Sequence, residues 1–352
     1  MKIAYIVPSL KNQGPIMVVL GLVKELISKN CEICVFYFDE LQGNMKFPCK
    51  TQQIRMNERI DFDFFDIIHS HCLRPDKYVN KWKKHIHKAK TITTLHQDTY
   101  RSFRYEHNFV MSKLLTYYWC YLQSHFDGVA CISNQLKELY ESKINSKLTT
   151  IYNGCSIKVD NNCDSNIIKD ILDRKMSNNI IIGTYAYVTR RKGLDQIIKA
   201  LPHLTNCTFV IIGEGPDIES LKIISKQFNV SDRVLFFPYQ DNPCNYLQYF
   251  DLYVMPSYSE GFGLAMVEAA LSKRPIVCSD IKSFHEIFPN DEVGFFTLSD
   301  TSDLVNTIKN VYSEKENYSM KSYNRCIQNF TTEVMAENYL NYYIDLLKQQ
   351  NK

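Results

Sequence analysis

Short β-rich apolar runs alternate with segments of helical periodicity along nearly the whole chain, and this alternation narrows the fold more than any other feature of the sequence. Lys2 to Val7 ends at Pro8, a polar loop holding Gly14 follows, Ile16 to Leu26 sets apolar residues at helical spacing, and Glu32 to Phe38 is a second strand. Strand, loop, helix and strand open a βαβ unit, which favours a parallel sheet with ligands at the carboxyl ends of its strands. Further strands are expected over Asp66 to Ser70, Thr91 to Leu95, Gly128 to Ile132 and Leu148 to Tyr152, the last closed by the turn pair Asn153-Gly154. A polar stretch rich in Asn, Asp and Ser, Lys158 to Asn179, then marks a domain boundary, with a short helix expected over Ile167 to Leu172. Beyond it the pattern restarts with strands at Ile180 to Tyr185, Cys207 to Ile212, Arg233 to Phe237, Asp251 to Met255, Ile276 to Cys278 and Val293 to Phe296. The fold class is therefore α/β, two Rossmann-like doubly wound domains over 1–165 and 166–332, with a helical stretch at 333–352 that can pack back on the first.

A chain of 352 residues can bury two cores, and 45% hydrophobic with 22% charged residues is an ordinary globular balance. The formal charge of +3 is too small to argue for nucleic acid. The amino terminus, MKIAYIVPSL, lacks the apolar core and cleavage site of a signal peptide, and no apolar run approaches the ~20 residues of a membrane span, so a cytoplasmic location is expected. Twelve cysteines carry no repeated spacing, and Cys31 and Cys34, the one CxxC pair, read as packing rather than as a metal or redox site.

The densest chemistry lies between Pro256 and Glu286. Glu260 precedes Gly261-Phe262-Gly263, and the apolar run Leu264 to Leu271 carries one acid, Glu268, which needs a polar partner. A glycine turn opening a helix presents N–H groups and a positive dipole end to an anion, so the stretch suits a phosphorylated, hydroxylated ligand. Arg190-Arg191-Lys192-Gly193 follows the first strand of the second half and can add positive charge at the same edge. In the first half, His69, His71, His96 and Ser133-Asn134 close strands; packing or capping is the better account of His69 and His71, whereas for His96 packing and chemistry balance. Asp61-Phe62-Asp63 resembles a metal-holding acid pair but precedes a strand instead of ending one, and carries little weight. Lys81 to Lys90 is a basic run around Trp82, and Tyr100 to Tyr121 is aromatic-rich, starting with Arg101 and Arg104. A solvated face and a buried aromatic helix are the plain readings; a patch resting on anionic membrane is the sharper one.

Taken together, the two Rossmann-like halves, Glu260 and Glu268 separated by seven residues, Lys192-Gly193, Gly213-Glu-Gly-Pro216 and Asn153-Gly154 resemble the GT-B glycosyltransferases of family 4, of the bacterial surface-polysaccharide type. The resemblance implies two domains facing a cleft and transfer of a sugar, with retention of configuration, from a UDP- or GDP-linked donor to a glycan or polyprenyl-linked acceptor in lipopolysaccharide O-antigen or capsule synthesis. It assigns Glu260 to the donor sugar and Glu268 to the ribose. The N–H groups of Gly261, Phe262, Gly263 and Leu264, with Lys192 and Arg190 or Arg191, would hold the diphosphate, so that no metal is required. Phe237-Pro238 would meet the base, His96 matches the acceptor-side histidine, and Gly14 keeps one glycine of a usual pair. The chain departs from the family at Ala186-Tyr187, where Gly-Arg is common, and at Gln97-Asp98, which inserts a residue before an expected acid. Three other classes compete. A glycoside hydrolase needs carboxylates ~5 to 9.5 Å apart around one bond, a nucleotide-sugar epimerase would act on the donor without acceptor, and a non-catalytic nucleotide-sugar-binding protein would bind without turnover.

Overall fold

The computed structural model describes residues 1–40, 45–104, 107–157, 163–289 and 291–349. Lys158 to Asn162 of the polar boundary stretch, Tyr105 and Glu106 of the aromatic segment, and Gln350 to Lys352 of the stretch expected to be helical at 333–352 lie outside the described residues. The chain forms two compact units, Met1–Cys155 with Phe330–Lys352, and Ser156–Asn329.

The first unit holds seven strands, β1 (Lys2–Ser9), β2 (Glu32–Asp39), β3 (Lys50–Gln53), β4 (Ile67–His71), β5 (Lys90–Leu95), β6 (Gly128–Cys131) and β7 (Leu148–Thr150). They pair in parallel in the order β3-β2-β1-β4-β5-β6-β7. All of β4 is buried and β1 nearly so, as a parallel sheet covered on both faces requires. Strand β3 was not expected: Lys-Thr-Gln-Gln offers no apolar alternation, and its ladder to β2 at the sheet edge holds it in place. The carboxyl-terminal helix Thr332–Lys348 belongs to this unit, packing against helix Gly14–Ser28. Its Tyr343 hydroxyl lies 3.0 Å from that of Tyr5 and 2.7 Å from Nδ1 of His69.

Helix Phe109–Gln123 departs from the expectation of a buried aromatic helix. Ser112, Thr116 and Gln123 turn inward with Trp119, Cys120 and Leu122, while Phe109, Val110, Met111, Leu114, Tyr118 and Tyr121 are exposed and Tyr117 reaches 76% exposure. Ser112 and Thr116 return their hydroxyls to backbone carbonyls of the preceding turn, whereas Trp119 and Gln123 face Asp76, a fully buried acid on helix Leu73–Trp82. Asp76 accepts from Ser70 (2.6 Å), Thr93 (2.7 Å) and Trp119 Nε1 (2.6 Å), with Gln123 at 3.5 Å. Burial pushes its carboxyl up to about 6 even with these donors in place.

The second unit holds β8 (Ile180–Tyr185), β9 (Cys207–Ile212), β10 (Val234–Phe237), β11 (Leu252–Met255), β12 (Ile276–Ser279) and β13 (Gly294–Phe296), all parallel in the order β10-β9-β8-β11-β12-β13. Ile197, Ile198, Leu221, Leu304 and Ile308, from three helices, pack with strand residues such as Ile182, Phe209 and Val254 in one core. The helix read over Ile167 to Leu172 is longer, Ser165–Met176, because the Asp164 side chain caps it by accepting from Asn166 N.

Candidate active site

Strand order reverses between β8 and β11, and in open α/β sheets ligands bind at the carboxyl ends of the strands flanking such a reversal. The loops leaving these two strands are bonded to one another. Tyr258 N donates to the Arg191 carbonyl (2.9 Å), Gln196 Nε2 to the Pro256 carbonyl (2.8 Å), and Arg191 Nη1 to the Ser259 carbonyl (2.6 Å). Gly193, at φ 61°, is what allows the approach: a Cβ there would stand 2.2 Å from the Pro256 oxygen. Gly263, at φ 97°, makes the corresponding turn into helix Leu264–Leu271, whose first N–H groups have no intrahelical acceptor.

Both acids of the pair are held. The Glu260 carboxylate, 9% exposed, receives Lys192 Nζ at 2.6 Å, Arg191 Nη1 at 3.1 Å and Ser257 Oγ at 3.0 Å. Burial pushes its carboxyl up, but the ammonium of Lys192 and the guanidinium of Arg191 more than reverse this and leave it below its usual range. Glu268 projects from the middle of its helix and accepts a short hydrogen bond from the Tyr185 hydroxyl at the end of β8. Here burial wins, and the carboxyl sits above its usual range although Tyr185 counters part of the shift. Two carboxylates on one turn and helix thus have opposite biases: Glu260 is kept ionised among cations, and Glu268 shares a hydroxyl proton.

The fold therefore gathers Arg191, Lys192, Glu260, Gly261, Phe262, Gly263, Leu264 and Glu268 at one place. Arg190 is exposed and interacts with Asp217. Phe237 ends β10, with β9 between it and β8; its carbonyl accepts from Gly213 N (3.0 Å), and Pro238 is exposed. Tyr185 and Ser257 escaped sequence reading. The only signal for Tyr185 was its position as the last residue of the strand that precedes the basic loop.

His96 and Gly14 lie in the other unit. Gly14 begins helix Gly14–Ser28 after β1, and a Cβ there would meet nothing within 4 Å. His96 follows β5, and its Nε2 lies 2.8 Å from Nδ1 of His71 at the end of β4. Burial pushes the His96 imidazole down to about 3, so it is neutral at physiological pH. His69 is absorbed in packing, between Tyr343 and Thr94 Oγ1 (2.7 Å). Ser133 is a helix cap, accepting from Leu136 N. Asp98 accepts from the N–H groups of Tyr100 and Arg101 and from the Tyr140 hydroxyl. Asp63 is taken up by the N–H groups of His87 (3.0 Å) and Lys88 (3.2 Å), and no metal-holding cluster of three or more His, Cys, Asp or Glu occurs among the described residues. The basic run folds onto its own unit: Lys83 pairs with Asp127 at 3.1 Å, Lys90 with Asp127 at 3.9 Å, and Lys81 bonds Asn57. Among the described residues no helix is long and apolar enough to cross a membrane.

Comparison with known proteins agrees with this architecture. Residues 166–332 match the family described as Glycosyl transferases group 1, and residues 17–159 match Glycosyltransferase Family 4. The O-antigen biosynthesis glycosyltransferase WclY of Escherichia coli is 32% identical over 360 residues, 99% of each chain. Sucrose-phosphate synthase of Thermosynechococcus elongatus superposes with a TM-score of 0.80 at 16% identity, over 99% of this chain and 100% of that one. Anabaena HepE, solved with UDP and glucose, superposes with a TM-score of 0.78 at 17% identity, over 98% and 100%. With its two parallel sheets and these matches over both halves, the chain belongs to the GT-B glycosyltransferases of family 4 and is a glycosyltransferase.

Proposed function

We propose that the chain transfers a sugar, with retention of configuration, from a nucleoside-diphosphate sugar to a glycan or polyprenyl-linked acceptor in O-antigen assembly. One observation carries the reading: the ionised Glu260 is gripped by Lys192 and Arg191 at the head of the glycine turn that opens the helix of Glu268. Cations, the N–H groups of a glycine turn opening a helix and two acids at a strand-order reversal are what a diphosphate flanked by two sugars needs. Lys192 and Arg191 stabilise the diphosphate as charge develops on it, the helix N-terminus adds its dipole, and no metal is required for that charge. Arg190 is the exposed cation available to the same phosphates. Glu260 accepts from hydroxyls of the donor sugar, Glu268 from the ribose, and Phe237-Pro238 borders the base. Gly14 lets backbone approach the donor phosphate or acceptor, and His96 serves the acceptor side. WclY supports the biosynthetic setting by its name, and the UDP bound to HepE favours a uridine donor.

The test is incubation of the purified chain with a panel of UDP- and GDP-sugars. One donor should raise the melting temperature, and with a glycan acceptor it should give a product of unchanged anomeric configuration by NMR, undiminished by EDTA. Inverted product, or isomerised donor without acceptor, would exclude the reading. Glu268→Ala should lose donor affinity and Glu260→Ala chiefly turnover.

The same proposal places the enzyme on the inner face of the plasma membrane through helix Phe109–Gln123, with Lys113 the one charge in that helix, rather than through the paired lysines of 81–90. Flotation with anionic liposomes should be lost in Leu114→Glu/Tyr117→Glu and kept in Lys81→Ala/Lys84→Ala; the reverse pattern would refute the placement.

A further inference from the structure

We infer that His71 is a positioning residue for the transfer reaction: it donates from Nδ1 to Nε2 of His96 and thereby fixes His96 as the tautomer that carries its proton on Nδ1. This rests on the reading of His96 as a residue of the acceptor side. His71 is fully buried, its ring packed at a tilt among Tyr5 (5.9 Å between centroids), His69 (4.3 Å) and His96 (5.1 Å). Its Nδ1 is bonded to His96, but its Nε2, equally buried, has no hydrogen-bond partner among the described residues.

Two neutral imidazoles joined by one hydrogen bond leave two choices. If His96 donated, His71 would have to carry its own proton on Nε2 and bury an N–H with nothing to accept it. If His71 donates, its Nε2 is a bare lone pair. Orphaned buried donors are the rarer and costlier defect, and acceptors left unsatisfied are better tolerated. The second arrangement is therefore the one that the pair adopts, and His96, partly exposed, presents Nδ1–H. It follows that His96 acts as a hydrogen-bond donor to substrate oxygen and not as the base that removes the acceptor proton.

The backbone gives a second, independent sign. Cys72, directly after His71, has φ 76° and ψ 165°, a region that essentially only glycine occupies. Non-glycine strain of this kind persists where surrounding structure demands a geometry. Here it turns the chain sharply from β4 into helix Leu73–Trp82 and leaves His71 at the strand end against His96.

The experiment is side-chain 15N NMR of the full chain with labelled histidine, combined with kinetics. In the wild type, Nε2 of His96 should read as unprotonated and Nδ1 as protonated. His71→Asn, whose amide N–H stands near the lost Nδ1–H, should keep that pattern and most of the activity. His71→Leu should lose the pattern and lower kcat about 10- to 100-fold, the scale seen when a histidine loses its orienting partner, with donor KM within twofold. A wild-type His96 protonated on Nε2 would overturn this inference alone. Full activity in His71→Leu with the tautomer lost would overturn the positioning role, and full activity in His96→Ala would overturn that role together with the reading on which it rests.

Discussion

Replacing Lys192 by Met removes one charge from the site while nearly keeping its volume, and the structure gives the size of the effect. Lys192 Nζ lies 2.6 Å from Glu260 Oε1, with the lysine 17% and the glutamate 9% exposed. At an effective dielectric of about 20 the pair is worth ~6 kcal/mol of gross Coulomb energy. Desolvation offsets part of this, and breaking a buried pair from one side costs about 3–5 kcal/mol because the remaining charge is stranded. Arg191 still reaches the other carboxylate oxygen at 3.1 Å, which argues for the lower end, about 3 kcal/mol. For a unit of this size that is roughly 6–12 °C in melting temperature. The pH dependence carries the diagnosis. In the wild type the Glu260 pKa is depressed below its ordinary 4.5, so its stabilisation is present above that value and is lost as pH falls through the folded pKa. In Lys192→Met burial dominates and the folded pKa rises, so the variant gains stability relative to the wild type on acidification. Thermal unfolding by circular dichroism should show the full deficit at pH 7 to 8 and a much smaller one near pH 4. An equal deficit at both pH values, or a melting temperature within 2 °C of wild type throughout, would refute the account of Glu260 as an anion held by cations.

Gly193→Ala should destabilise the second unit by at least the ~1–2 kcal/mol of a left-handed L-residue and weaken donor binding, because its Cβ meets the Pro256 carbonyl at 2.2 Å. Gly14→Ala, in open space at a helix start, should be neutral or stabilising by up to ~1 kcal/mol in denaturant titrations; matched losses in the two variants would contradict this. Tyr185→Phe should raise donor KM with kcat little changed and move the acid limb of donor binding to higher pH, since burial then acts on Glu268 without the countering hydroxyl; calorimetric titration from pH 5 to 8 checks it. Asp76, raised by burial to about 6 from 3.8, makes the folded state the better proton binder, so its share of the stability grows as pH falls from above 6 toward 3.8. Asp76→Asn should flatten that slope in urea unfolding while lowering stability near pH 5 by about 1–3 kcal/mol through the donors it leaves unmet.

The repeated strand runs made both sheets legible, because a strand buried on two faces must be written in apolar residues. Strand β3 was not, because an edge strand of Lys-Thr-Gln-Gln is held by its neighbour's ladder and not by burial. In the site, the acids, glycines and basic loop could be read as types, but their pairing could not. Lys192 and Glu260 stand 68 residues apart, and Tyr185 and Glu268 stand 83 apart. Helix Phe109–Gln123 shows most plainly where local reading ends. Its periodicity declares two faces, and hydrophobicity assigns the aromatic one to the core. The protein does the opposite, because a buried acid on another helix needs donors: Trp119 and Gln123 must turn toward Asp76, and Phe109, Leu114, Tyr117 and Tyr121 are carried to the surface. A buried carboxylate left without those donors would cost more than the exposure of several aromatic edges, each of which keeps part of its contact area against its neighbours. The outward aromatic face is thus a consequence of one acid's hydrogen-bonding demand, and it leaves on the surface the apolar stripe through which the enzyme is proposed to meet the membrane.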